Sequence, residues 1–188
     1  MKRYELEHII RAASGITNQS DIVVVGSQAI LAQFPNAHSS LLVSMEADVF
    51  PLHKPELSIE IEGAIGEHSR FHETHGYYAH GVDETTAVLP SGWKQRLIPI
   101  RNSNTNNATG WGLEVHDLAT SKLVAGREKD LEFVKVLLRE KMIAIQTMGE
   151  RIATLPHERQ SIARQRFERL CSFDKSSPSI TGPDIGLD

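Results

Sequence analysis

Cysteine is nearly absent: Cys171 stands alone among 188 residues, which excludes an internal disulfide and fits a reducing compartment. Long hydrophobic runs are missing too, since no apolar stretch approaches the roughly 18 residues of a membrane span. The opening Met1-Lys2-Arg3-Tyr4-Glu5-Leu6-Glu7 is too acidic and too poor in apolar residues for a signal peptide, so a cytoplasmic protein without membrane contact is expected. There is no excess of positive charge. At a net charge of -4 the chain has no global attraction to nucleic acid, and any such contact needs a local basic patch. No internal repeat is visible. What remains is a 40% hydrophobic composition, enough to build the core of one compact domain, with or without a helical appendage.

The rest of the chain is organised around residues 22 to 50. Ile22-Val23-Val24-Val25 is rich in β-branched residues, stops at Gly26-Ser27, and gives way to the helix-forming Gln28-Ala29-Ile30-Leu31. A second apolar run, Ser44-Met45-Glu46-Ala47-Asp48-Val49-Phe50, carries two carboxylates two positions apart. On a strand that spacing sends Glu46 and Asp48 out of the same face. Adjacent carboxylates repel unless a cation lies between them, and Mg²⁺ prefers oxygen ligands at about 2.0–2.1 Å. Two such ions about 3.5–4 Å apart could clamp a phosphoryl group during in-line displacement. Gly26 permits a tight bend at the strand-to-helix turn, and the helix start after Ser27 would present unpaired N–H groups to a triphosphate. A solvated sheet edge is the plainer account of the acid pair, and an ordinary loop that of the Gly-Ser turn.

Together these segments resemble the nucleotidyltransferase superfamily: an apolar strand, Gly-Ser, a helix, then an acid-x-acid strand. Gly26, Ser27, Glu46 and Asp48 are the matching positions. The later stretch from His116 to Leu131 looks like the second signature of the bacterial abortive-infection branch, which includes nucleotidyltransferase toxins. Its Lys and Arg-x-Lys-Asp fall on Lys122, Arg127, Lys129 and Asp130. A narrower likeness, through Ser-Met-Glu-Ala-Asp and Ser-Lys-Leu-Val-Ala-Gly-Arg-Glu-Lys-Asp, is to small bacterial nucleotidyltransferase-like proteins of unknown function and covers roughly residues 20 to 140. The resemblance implies an α/β (α+β) fold with a mixed sheet flanked by helices and a C-terminal helical segment. It implies Mg²⁺-dependent transfer of a nucleotidyl group from a nucleoside triphosphate to a hydroxyl of RNA, protein or a small molecule, in a setting that includes toxin–antitoxin pairs with an antitoxin-like protein partner. Glu46 and Asp48 would hold metal, two ions in the full arrangement. Gly26, Ser27 and Arg127 would bind the nucleotide, Lys122 would neutralise developing charge, and Asp130 would position Lys122 or the acceptor. The sequence departs from the pattern in three ways. The gap from Ser27 to Glu46 exceeds the roughly ten residues of the toxin branch, the first acid is Glu, and the expected neighbouring strand, Gly76 to Val82, offers no third carboxylate.

The remaining segments set further expectations. Tyr4 to Ala13 reads as an amphipathic helix that stops at Gly15 and lies on the sheet edge. Glu56 to Ile65 reads as a helix with Glu60 and Glu62 in solvent. His68, His72, His75 and His80 fall close together, which suits either scattered loop and strand histidines or a transition-metal site, although their spacing matches no closed-site template. Thr85 to Ile100 alternates like a hairpin around Pro90-Ser91-Gly92, Asn102 to Gly110 reads as a flexible loop, and Trp111 to Val115 as a strand. Asp117 is placed to cap a helix that Gly126 ends, and Glu128 opens a second, with Leu131, Val134, Leu138, Met142 and Ile145 at helical spacing. A third helix is expected from about Leu155 to Phe173, with Arg159, Arg164, Arg166 and Arg169 making a solvated or phosphate-binding face. The predicted organisation is an α/β domain over 1–115, a helical segment over 116–173 packed on it, and a disordered tail over 174–188. The main alternative to an enzyme is a degenerate nucleotide-sensing or partner-binding protein of the same fold.

Overall fold

The β-branched run at the centre of the sequence becomes the central strand, β1 (Asp21–Val25), whose last four residues are buried. A computed structural model describes residues 1–175, and the expected tail beyond Lys175 lies outside the described residues. The acid-x-acid segment forms β2 (Glu46–Pro51), followed by β3 (Tyr78–Gly81), β4 (Ile98–Ile100) and β5 (Thr109–Gly112). They make one mixed sheet in the order β3-β2-β1-β5-β4. β1 pairs antiparallel with β2 and parallel with β5, β2 runs parallel to β3, and β4 is antiparallel to β5.

Helices flank the sheet and continue past it: α1 (Arg3–Thr17), α2 (Ile30–Gln33), α3 (Ser58–Ile65), α4 (Arg70–His75), α5 (Val115–Ala125), α6 (Glu128–Arg139), α7 (Ile145–Ala153) and α8 (His157–Lys175). α1 buries Leu6, Ile9, Ile10 and Ala13 against β1, β2 and β5, so it crosses the middle of the sheet rather than its edge. It also runs through Gly15 and ends at Asn18, in the left-handed conformation, because the apolar stripe continues to the buried Thr17 and outweighs one glycine. α3 packs on the same face. Gly81 approaches it so closely that a Cβ there would lie 2.0 Å from the Ser58 carbonyl oxygen. The opposite face of β2 carries Glu46 and Asp48, leaving Ala47 and Val49 buried beneath α1 and α3.

Several expectations are corrected. Residues 85–100 do not form a hairpin. Glu84–Thr86 and Trp93–Arg96 are 3₁₀ turns, and only Ile98–Ile100 joins the sheet, at its edge, where Pro99 costs no ladder bond. β5 ends at Gly112 and Val115 already opens α5, capped by Glu114, which accepts from the His116 N–H at 3.1 Å. Asp117 caps nothing. It is fully buried, takes two hydrogen bonds from Arg96 at 2.8 and 3.0 Å, and lies 3.1 Å from Arg151. The Asn-rich segment is tied down, with Asn102 and Asn104 donating to the buried Glu7 of α1 at 2.8 and 2.9 Å. The apolar periodicity through Met142 and Ile145 spans a break: α6 ends at Arg139, Lys141 takes a positive φ, and Ile145 begins α7. Glu62 is not simply solvated, since it accepts the Gly81 N–H at 2.7 Å.

The C-terminal helices matter for what they deliver to the sheet. α5 packs on the turn that follows β1 and on α6, α7 and α8, while α6 packs on a 3₁₀ turn at Ser39–Leu41. Arg166 of α8, expected on a solvated face, donates to the Leu123 and Val124 carbonyls at 2.7 and 2.8 Å and so satisfies the end of α5. Among the described residues no helix is long and apolar enough to cross a membrane.

Candidate active site

The strand wall of the site begins with a local device. Ser44 Oγ accepts the Glu46 N–H at 3.1 Å and donates to the Glu46 carbonyl at 3.2 Å, fixing the chain where β2 starts. From there the two-residue period turns Glu46 and Asp48 to one face. Register then sets their neighbours: Asp48 lies opposite Val25 on β1 and opposite His80 on β3, and Glu46 lies opposite Tyr78. Tyr78 donates its hydroxyl to Glu46 Oε2 at 3.0 Å, and His80 Nδ1 stands 3.2 Å from Asp48 Oδ1. Burial above all, with the Glu46 hydrogen bond and charge behind it, pushes the Tyr78 hydroxyl up to about 12.

Gly26 closes this wall from the side of β1. Its φ of 65° and ψ of -167° belong to a region that only glycine occupies readily, and a Cβ there would lie 2.0 Å from Asp48 Oδ2. Asp48 is therefore set between Gly26 and His80. Burial first, and the charge of Glu46 second, raise its carboxyl above the ordinary carboxylate range. After Gly26 the chain makes a 3₁₀ turn, Ser27–Ala29, and then only the short α2. The helix expected after Ser27 thus runs to Gln33 but opens as a 3₁₀ turn, so an anion at Ser27 would rely on side chains more than on a helix dipole.

The helix wall brings cations. Lys122, near the end of α5, is buried and donates to Ser27 Oγ at 2.9 Å and to Asp130 Oδ1 at 3.1 Å. Its ammonium also sits 4.6 Å from the centre of the Phe133 ring. Asp130 in the first turn of α6 is gripped a second time by Arg127, whose Nε donates to Oδ2 at 2.6 Å. Burial pushes the Asp130 carboxyl up, but the bonds and charges of Arg127 and Lys122 outweigh it and hold the group below its usual range. Burial lowers the Lys122 ammonium, with Asp130 opposing. Gly126, in the left-handed conformation at φ 66°, makes the sharp corner that lets both helices present these groups to one point.

The two walls enclose a cavity of about 610 Å³. Gly26, Ser27, Glu46, Asp48, Lys122, Arg127 and Asp130 all line it, so the residues that carry the family resemblance share one cleft, while the four clustered histidines and the arginines of α8 lie outside it. Leu41 and Val43 on one side and Phe133 and Val136 on the other give it an apolar section, with Arg139 at hand. Sequence reasoning missed Phe133 and Tyr78. Nothing local marks a ring under Lys122, but in-phase pairing of β2 with β3 would have set Tyr78 beside Glu46. The histidines disperse: His72 packs on Tyr78, His75 on His8 and Phe71, His68 beside His72, and His80 turns to Asp48. Among the described residues no three His, Cys, Asp or Glu side chains are grouped to hold a metal ion.

A Gly-Ser turn after a strand, an acid-x-acid strand beside it, and a lysine braced on an acid opposite thus meet at one cavity. The chain belongs to the family described as "Nucleotidyltransferase of unknown function (DUF6036)", which it matches over residues 4–173. No curated protein and no solved structure matched it.

Proposed function

We propose that this protein transfers a nucleotidyl group from a nucleoside triphosphate to an acceptor hydroxyl. The observation that carries the reading is Lys122, which joins Ser27 to Asp130 on the rim of the cavity that Glu46 and Asp48 share. Family membership supports the nucleotide substrate. The donors fit a hard divalent cation, because the pair is all oxygen and Asp48, its carboxyl raised by burial first and by the Glu46 charge second, is disfavoured as an anion until a cation joins the pair. Mg²⁺ commonly takes one or two protein carboxylates and completes its shell with water and phosphate oxygens, so a third protein ligand is not required. Glu46 and Asp48 would hold it, two ions in the full arrangement; when bound, it would neutralise phosphate charge at the attacked centre.

The chain's own residues do the rest. Ser27 and Lys122 hold the phosphate tail, Arg127 adds a second cation, and Asp130 fixes where the Lys122 ammonium stands. The acceptor hydroxyl gives up its proton to solvent as its oxygen forms a bond to the α-phosphorus, the bond to the bridging oxygen breaks, and pyrophosphate leaves with the electron pair of that bond. The apolar section around Phe133 and Val136 suits a nucleobase. The likeness of residues 116–131 to the abortive-infection branch supports a toxin-type role, with an RNA or protein hydroxyl as acceptor and an antitoxin-like partner.

A second reading has its own observation: β3 sets Tyr78 and His80, not a carboxylate, opposite the acid pair, as a degenerate nucleotide sensor would allow. One experiment separates the two. Thermal stability is measured with Mg²⁺, with each of the four common triphosphates, and with both, and labelled triphosphate is then incubated with cell extract. The transferase reading expects synergy of about 2.7 kcal/mol at a hundred times the dissociation constant, its loss in Asp48→Asn without unfolding, and a labelled acceptor. Synergy with no label favours the sensor. No shift with any triphosphate at millimolar concentration overturns both.

A further inference from the structure

On the parallel pair β2–β3, each acid of the candidate centre faces a donor rather than another acid. Tyr78 is in register with Glu46 and bonded to it at 3.0 Å; His80 is in register with Asp48, with Nδ1 3.2 Å from Oδ1. Asp48 is confined on its other side too, because Oδ2 lies against Gly26. The carboxylate thus has a neighbour at each oxygen and is partly screened from water, with a side-chain exposure of 21%. His80 is half exposed at 51%, so as a surface ion pair it would add little stability. Its effect is on direction: a hydrogen bond to one oxygen determines where the other points.

Resting on the nucleotidyl-transfer reading above, we propose that His80 is a positioning residue, which orients Asp48 for a divalent cation by donating from Nδ1 to Oδ1. It stands in register with Asp48 on the neighbouring strand, and Tyr78 stands likewise beside Glu46. Outer partners of this kind set the orientation and basicity of a ligand without touching the ion, and their loss typically weakens metal affinity about 10- to 100-fold.

The test is Mn²⁺ binding to the full chain, read as free ion by electron paramagnetic resonance, with urea unfolding as a check on folding. His80→Leu removes the donor; His80→Asn keeps an N–H near the place of Nδ1. The proposal expects Leu to weaken Mn²⁺ binding at least about tenfold, Asn to stay within about threefold of wild type, and the bound Mn²⁺ spectrum to show no nitrogen coupling. Tyr78→Phe should give a smaller loss by releasing Glu46. Leu binding like wild type overturns the proposal, and so does an equal loss in Asn and Leu. Nitrogen coupling that vanishes in both variants also overturns it, by making His80 a direct ligand. If wild type binds no Mn²⁺, the metal-dependent reading fails with it, an outcome distinct from failure in the variants alone.

Discussion

On the strand wall, Asp48 shares a face with Glu46 and takes its bond from the imidazole of His80; on the helix wall, Asp130 is held by both Lys122 and Arg127. The two acids consequently move in opposite directions, Asp48 above the ordinary carboxylate range and Asp130 below it. Burial pushes both upward; at Asp48 the charge of Glu46 adds to it, whereas at Asp130 the bonds and charges of Arg127 and Lys122 outweigh it. A wall whose charge is already compensated serves as a fixed frame, whereas a wall with like charges side by side is stabilised by whatever cation arrives. Ser27 stands where the two meet, bonded to Lys122 and following the Gly26 that Asp48 presses against.

The largest effect should come from breaking the frame. Asp130→Ala leaves the buried Lys122 ammonium with Ser27 and the Phe133 ring but no carboxylate bonded to it. Removing one partner of a buried ion pair costs about 3 kcal/mol, or roughly 6–12 °C in melting temperature for a chain of this size. Urea unfolding checks it, and a loss under about 1 kcal/mol would mean that the helix wall is no more rigid than the strand wall. Next comes Gly26→Ala, which forces a side chain into a glycine-only conformation and against Asp48 Oδ2. It should cost about 2 kcal/mol. It should also erase the Mg²⁺–triphosphate synergy, because Asp48 must move; synergy left intact would show that the close packing is incidental.

The strand wall was the more legible of the two. A period of two puts Glu46 and Asp48 together whatever the rest of the chain does, and β-branched residues ending at Gly26 mark the strand and its turn. The helix wall could be found only through the pattern shared with other proteins, since Lys122 reaches Ser27 across 95 positions of sequence. Local chemistry alone would have put Arg127 to Asp130 in solvent. The errors elsewhere have the same origin. Residues 85–100 alternate like a hairpin, but their neighbours in space, not their alternation, decided that only Ile98–Ile100 would pair. Asp117 has the right residue type and place for a cap and was instead claimed by Arg96 and Arg151, neither of them near it in sequence.

The smallest expected effect is also the sharpest test of the comparison, because it predicts opposite signs. A carboxyl raised in the folded state above its ordinary 3.8 contributes stability that is present below that value and lost as pH rises through the raised one. Asp48→Asn, which stays neutral, should therefore be more stable than wild type at about pH 7 in the absence of divalent cations, by less than about 1 kcal/mol, and the gain should shrink towards zero as pH falls below the ordinary value. Asp130 runs the other way: a lowered carboxyl contributes stability present above 3.8 and lost as pH falls through the lowered value. Asp130→Asn should thus cost stability at about pH 7 and cost progressively less in acid. Urea unfolding of wild type and both variants in chelator, at a series of pH values, gives the two curves. If they bend in the same sense, the contrast between a compensated and an uncompensated wall is wrong; if they bend apart and Mg²⁺ removes the Asp48→Asn advantage, the strand wall is where the cation binds.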